Sequence, residues 1–245
     1  MASTVTDPQD ISIAWQLQIV TYTHLSFLTI MVHDWLILLD QEIEYVWRRK
    51  WDIGKVLFII SRYGTFYDLP IRLVTHITPY GAVNHSTCSI LYKIANWTSI
   101  LCISVSEFIL LLRTHALYSG SKWVSIPLSI VYTVGTVTGI IITARYLGTT
   151  TLGPPPSPLF IGCYIERDDT IISIDFLILL VFELIVVILT VLKGFRDYKS
   201  GTPLMRVIYR DSVFFFLVLF AESLSAILTL ALAPVSGTFP PPSDD

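Results

Sequence analysis

The chain has 245 residues, of which 53% are hydrophobic and only 14% charged, with a mean hydropathy of +0.66 and a net charge of −3. A water-soluble domain has no interior large enough to hide that share of apolar side chains, so the composition is that of a membrane protein. There is no basic face of the kind nucleic acid requires, which removes that class of partner.

A helix needs about 20 apolar residues to cross a hydrocarbon core of roughly 30 Å. Six stretches come near that length: 15–39, 56–77, 88–112, 123–147, 171–192 and 213–233. They predict an all-α, polytopic integral membrane bundle of six transmembrane helices. Ahead of the first lies a tail, 1–14, with no Lys or Arg and with Asp7 and Asp10, unlike the basic start of a cleaved signal peptide. The first helix is therefore expected to be retained.

The first span carries His24, His33 and Asp34 and runs on into Asp40 and Glu44. His33, Asp40 and Glu44 share one helical face, as metal ligands would. Asp40 and Glu44 nevertheless lie past the span, where Glu44 can pair with Arg48 one turn later, so solvated charge is the expected account and no metal site. Beyond them Ile43, Val46, Trp47 and Trp51 alternate with Arg48, Arg49 and Lys50, a pattern read as an interfacial anchor touching anionic lipid. The second span is interrupted by Arg62, Asp68, Arg72 and His76, and Pro70 is expected to kink it.

Cys88 opens the third span, Cys102 lies inside it, and Cys163 falls in the loop between the fourth and fifth. None has the C-x-x-C spacing of a zinc or dithiol site, which leaves at most one disulfide. A Cys88–Cys163 bridge is expected, because both fall on the oxidising side. Gly135 and Gly139 in the fourth span form a small-xxx-small pair, expected to serve packing inside the bundle. The run Gly153-Pro154-Pro155-Pro156-Ser157-Pro158 cannot be helix and predicts a stiff extended loop. The Pro-rich tail 234–245 is expected to be disordered. Trp15, Tyr92, Trp123, Tyr146 and Tyr209 fall near predicted span ends, where amphipathic rings favour the headgroup layer.

Orientation follows from the basic residues between spans, since Lys and Arg remain on the cytosolic side. Segments 40–55, 113–122 and 193–210 hold Arg48, Arg49, Lys50, Lys55, Arg113, Lys122, Lys193, Arg196, Lys199, Arg206 and Arg210, eleven residues, against Arg167 alone on the other side. The N-terminal tail, the loop near Asn84, the loop 148–170 and the C-terminal tail are thus expected outside the cytosol. Asn84-His85-Ser86 is a glycosylation sequon, in a loop too short to favour modification.

The stretch from Asp34 through Asp40, Glu44, Trp47 and Trp51, continued by Lys55-Val56-Leu57-Phe58 and Arg62-Tyr63, resembles the domain of unknown function 6533 family of basidiomycete multi-pass membrane proteins. A second stretch, from Glu107 through Arg113-Thr114-His115-Ala116-Leu117-Tyr118, is similar to the ending of that family's third helix. The resemblance implies a fungal polytopic protein, commonly of seven helices, with no established activity. Against that layout the chain reads as lacking the last helix, as a truncated product would.

Ionisable groups inside a bilayer cost several kcal/mol unless paired, hydrated or neutralised. Counting from the span ends sorts them into two layers. Asp34, Arg62 and Glu107 fall in the cytosolic half of three successive helices and are expected to form an ion cluster; Asp68, Glu183 and Glu222 fall near the midplane, with Arg72 one turn from Asp68. Nothing resembles a phosphate-binding loop, a nucleophile elbow, a zinc-protease helix or a dinucleotide fingerprint, so neither catalysis nor a cofactor is expected.

The expected function is that of a receptor-like or sensory membrane protein, with the lipid bilayer around it and a cytosolic protein partner at the basic loops. The outer disulfide looks like that of seven-helix G-protein-coupled receptors in layout only, since their acidic-Arg-aromatic triplet is here Leu112-Arg113-Thr114. The competing reading is a proton- or cation-coupled transporter or channel subunit using the midplane carboxylates. A third is a scaffold or a truncated chain.

Overall fold

The computed structural model describes residues 8–77, 85–153, 163–167, 171–197 and Leu224. These form α1 (Pro8–Glu42), a π-helical turn (Ile43–Trp47), α2 (Ile53–Ile77), α3 (His85–Leu117), α4 (Lys122–Thr149), a strand pair β1 (Thr151–Gly153) and β2 (Tyr164–Arg167), and α5 (Ile172–Asp197). The sixth expected span 213–233 with Glu222, the Pro run after Gly153, Asn84, Tyr209, residues 1–7 and the C-terminal tail lie outside the described residues, Leu224 excepted. The rest of the expected N-terminal tail, from Pro8, is already helix.

Among the described residues four helices are long and apolar enough to cross a membrane, with spans Gln18–Trp47, Ser86–Leu117, Lys122–Thr149 and Ile174–Lys193. α2 is long enough at 25 residues, but Lys55, Arg62, Asp68 and Arg72 are spread along it and it does not qualify on composition. It stays helical through Pro70. On either side of the Pro run, Thr151–Gly153 and Tyr164–Arg167 pair as antiparallel strands, with an irregularity between Thr151 and Leu152. Extended chain on either side of a Pro-rich segment has its backbone donors and acceptors free to pair with each other.

The chain divides into two compact units: Met1–Ile103 with Thr150–Arg167, and Ser104–Thr149 with Asp168–Asp245. In the first, α1 and α2 form a helical hairpin. The turn between them is built from within. Asp52 caps α2 through its carboxylate, which accepts from the Lys55 backbone N–H at 2.7 Å. The buried Lys55 ammonium reaches back to donate to the carbonyls of Trp47 (3.2 Å) and Arg49 (3.1 Å) at the C-terminal end of the π turn. A cation there meets the negative pole of the helix. Hydroxyls along α1 are satisfied by their own helix: Thr23, Ser26 and Thr29 donate to the carbonyls of Ile19, Tyr22 and Leu25 at 2.8–2.9 Å. In lipid this removes the cost of an unpaired polar group.

α2 meets α3 closely at Gly64, where an added Cβ would collide with the Cys102 sulfur. Gly64→Ala is therefore expected to destabilise the first unit by about 1–3 kcal/mol, read from unfolding in detergent. The Gly64→Ala, Cys102→Ala double variant should regain most of that loss; no recovery would mean that the sulfur is not what the methyl group meets.

In the second unit Leu110 and Leu111 of α3, Leu128 of α4, and Phe182 and Val186 of α5 make the core, with Tyr132 packed against it. Tyr132 lies between Phe108 (5.7 Å between ring centres) and Phe182 (6.1 Å) and donates to the Ser104 carbonyl at 3.1 Å. Gly135 faces α5, its missing Cβ 3.5 Å from Ile178 Cγ2, and Gly139 is buried, so the glycine pair lies within the bundle. Tyr146 is also buried, which makes it a packing residue and not a headgroup anchor, whereas Trp15 and Trp123 are exposed as anchors would be. α3 ends in a tight cap: Ser119 takes φ 52°, Gly120 N–H bonds the His115 carbonyl and Ser119 N–H that of Ala116.

Candidate functional site

The hairpin of α1 and α2 holds an ion cluster in its membrane-facing length. Arg62, midway along α2, places Nε 3.0 Å from a carboxylate oxygen of Glu42 and Nη1 3.6 Å from Asp34. Asp34 and Glu42 stand two turns apart on α1, so one guanidinium can address both. They are not equivalent: the Glu42 side chain is 2% exposed and that of Asp34 58%. Tyr63 completes the site. Its hydroxyl donates to the second Glu42 oxygen and accepts from the Trp35 indole N–H at 3.4 Å, while its ring lies among Trp47 and Phe66.

Arg62 thus meets Asp34 as expected. Glu107 belongs to the second unit, where it lies within the electrostatic reach of Glu183 and Asp175. Glu42, which was not singled out from the sequence, joins Arg62 and Asp34. The usable signal was its spacing: Glu42 lies eight residues from Asp34, on the stripe that passes through Leu38. Glu44, expected to pair with Arg48, forms no ion pair among the described residues, because Arg48 already lies in the turn and loses the helical i,i+4 geometry. His33, Asp40 and Glu44 are exposed, and no three metal-ligating side chains converge among the described residues.

A second polar group sits farther along α2. Arg72 Nε contacts Asp68 at 2.9 Å, its Nη2 donates to Ser99 Oγ of α3 at 2.7 Å, and Ser99 donates back to Asp68 at 3.0 Å. Each member of this triangle is answered, and Asp68 is paired with Arg72, the cation one turn away. His24 of α1 stacks on His76 of α2 with ring centres 5.1 Å apart. Next to it, the Thr75 carbonyl accepts the Cys163 backbone N–H at 2.8 Å, and Cys163 is joined by a disulfide to Cys88 at the start of α3. The β-hairpin is thereby tied to the ends of both α2 and α3.

In the second unit Glu183 is buried on α5, within the electrostatic reach of Glu107. Tyr118, at the end of the second family-like stretch, donates to the Leu189 carbonyl of α5 at 2.8 Å, with Lys193 over its ring at 5.9 Å. Arg113, Ala116 and Leu117 lie in the last turns of α3 beside it.

Residues 22–67 match the model of a family of unknown function, DUF6533. The match covers α1 from Tyr22, the π turn, and α2 as far as Tyr67, the length that holds Asp34, Glu42, Arg62 and Tyr63. No curated protein and no solved structure matches the chain.

Proposed function

We propose that this chain is a receptor-like or sensory multi-pass membrane protein, with the β-hairpin outside the cytosol and the basic turns inside. The observation that supports the reading is the tie at Cys163, which joins the hairpin covalently to α3 and by a hydrogen bond to α2. Force or ligand contact at such a hairpin reaches two helices directly, without crossing a flexible loop. The counting of basic residues supports that orientation, and the hydrogen-bonded cap at Ser119–Gly120 supports a docking surface for a cytosolic protein beside Arg113 and Lys122.

The test is a photo-crosslinker placed at Arg113 or at Lys193 in the full chain, in its native cell. A discrete crosslinked cytosolic protein is expected, and Cys88→Ser should reduce its yield severalfold. A yield unaffected by that substitution, or no adduct at all, would overturn the reading. The second reading, a proton- or cation-coupled transporter, is favoured by one observation: Glu107, Asp175 and Glu183 share one electrostatic neighbourhood in membrane-length helices. Proton flux into proteoliposomes that Glu183→Gln abolishes would put transport in place of reception.

A further inference from the structure

The turn between α1 and α2 carries three consecutive cations, Arg48, Arg49 and Lys50, at its apex. All three are exposed, and among the described residues none has an ion-pair partner. Trp47 and Trp51 stand on either side, 44% and 71% exposed, and Ile53 follows at 73%. The helical stretch long and apolar enough to cross a membrane, Gln18–Trp47, ends directly before the three cations.

The fourth basic residue of the segment plays a different part. Lys55 is buried, its ammonium held by the Trp47 and Arg49 carbonyls and lying 5.6 Å and 4.6 Å from the ring centres of Trp47 and Trp51. It fixes the backbone on both sides of Arg48 and orients the two indoles. The apex cations are therefore displayed on a braced loop and lose little freedom when they bind an anion.

We infer that the Trp47–Trp51 turn is a binding site for the phosphate headgroup of an anionic phospholipid, with Arg48, Arg49 and Lys50 supplying the charge, Trp47 and Trp51 seated in the headgroup layer, and Lys55 as a positioning residue. Charge complementarity and the position at the end of a span favour a lipid over a soluble anion. Indole rings prefer the interface between water and hydrocarbon, and each cation near an anionic surface contributes about fivefold to association. This inference goes beyond the receptor reading and does not depend on it.

The experiment uses the full chain reconstituted in phosphatidylcholine vesicles that contain a trace of spin-labelled lipid. The fraction of label held at the protein surface is compared for phosphatidylserine and phosphatidylcholine. The wild-type chain is expected to retain phosphatidylserine severalfold over phosphatidylcholine at low salt, to lose that preference in molar salt, and to keep it when inorganic phosphate is added at millimolar concentration. The Arg48→Gln, Arg49→Gln, Lys50→Gln variant should bring the ratio close to one, while Lys122→Gln, outside the turn, leaves it unchanged. A preference that survives the triple substitution, that Lys122→Gln removes equally, or that millimolar phosphate abolishes would overturn the assignment. The salt arm needs no variant: a wild-type preference indifferent to salt would overturn it too.

Discussion

Replacing Arg62 by Gln is expected to cost the fold about 3–5 kcal/mol, the penalty for leaving a buried charge without its partner. Glu42 is the charge left behind: its side chain is 2% exposed, and Arg62 is the cation beside it at 3.0 Å. Asp34→Asn should cost less than about 1 kcal/mol, since that carboxylate is 58% exposed and stands 3.6 Å away. Unfolding of the detergent-solubilised variants, followed by helical circular dichroism, gives the order. The Arg62→Gln, Glu42→Gln double variant should be more stable than Arg62→Gln alone, because it removes the orphaned charge as well. Equal losses for Asp34→Asn and Arg62→Gln would show that the cluster does not discriminate between its two acids, against the burial difference between them.

Breaking the Cys88–Cys163 bridge ranks next. The bridge spans 75 residues of sequence, and a cross-link of that reach stabilises a fold by about 2–5 kcal/mol, mainly through the chain freedom denied to the unfolded state. Cys88→Ser, Cys163→Ser and the double variant should lose the same amount, because each removes the same bond, and a reducing agent should bring the wild-type chain to their level. Unequal losses would mean that one sulfur contributes chiefly by packing. The hairpin should retain part of its hold on α2 in these variants, through the Cys163 N–H to Thr75 carbonyl bond.

What the sequence showed of this arrangement divides along a physical line. Depth along a helix is a matter of counting residues, and it placed Asp34 and Arg62 at one height correctly. Azimuth is not countable across separate helices, so neither the place of Glu42 beside Arg62 nor the nearness of Glu107 to Glu183 and Asp175 follows from height alone. Glu42 was readable in principle from its spacing to Asp34 on the α1 stripe, whereas the π turn at Ile43–Trp47, which carries Glu44, is announced by no residue type. The Asp68–Arg72 pair was readable because it is local, whereas Ser99, which closes it, sits 27 residues from Arg72. The Cys88–Cys163 bridge was legible because the expected sidedness put those two sulfurs together, but the strand that follows Cys163 and its partner are short and separated by a Pro-rich run, and strand pairing across such a gap leaves no periodic trace.

The 75 residues between Cys88 and Cys163 also set an order of assembly. A ribosome adds about 5–20 residues each second, so Cys88 waits roughly 4–15 s before its partner exists, and the rest of α3 and all of α4 are made during that interval. The hairpin of α1 and α2, complete before Cys88 is synthesised, needs nothing downstream to close its own ion pairs. The bridge can close only after α4 has been made, once Cys163 itself exists.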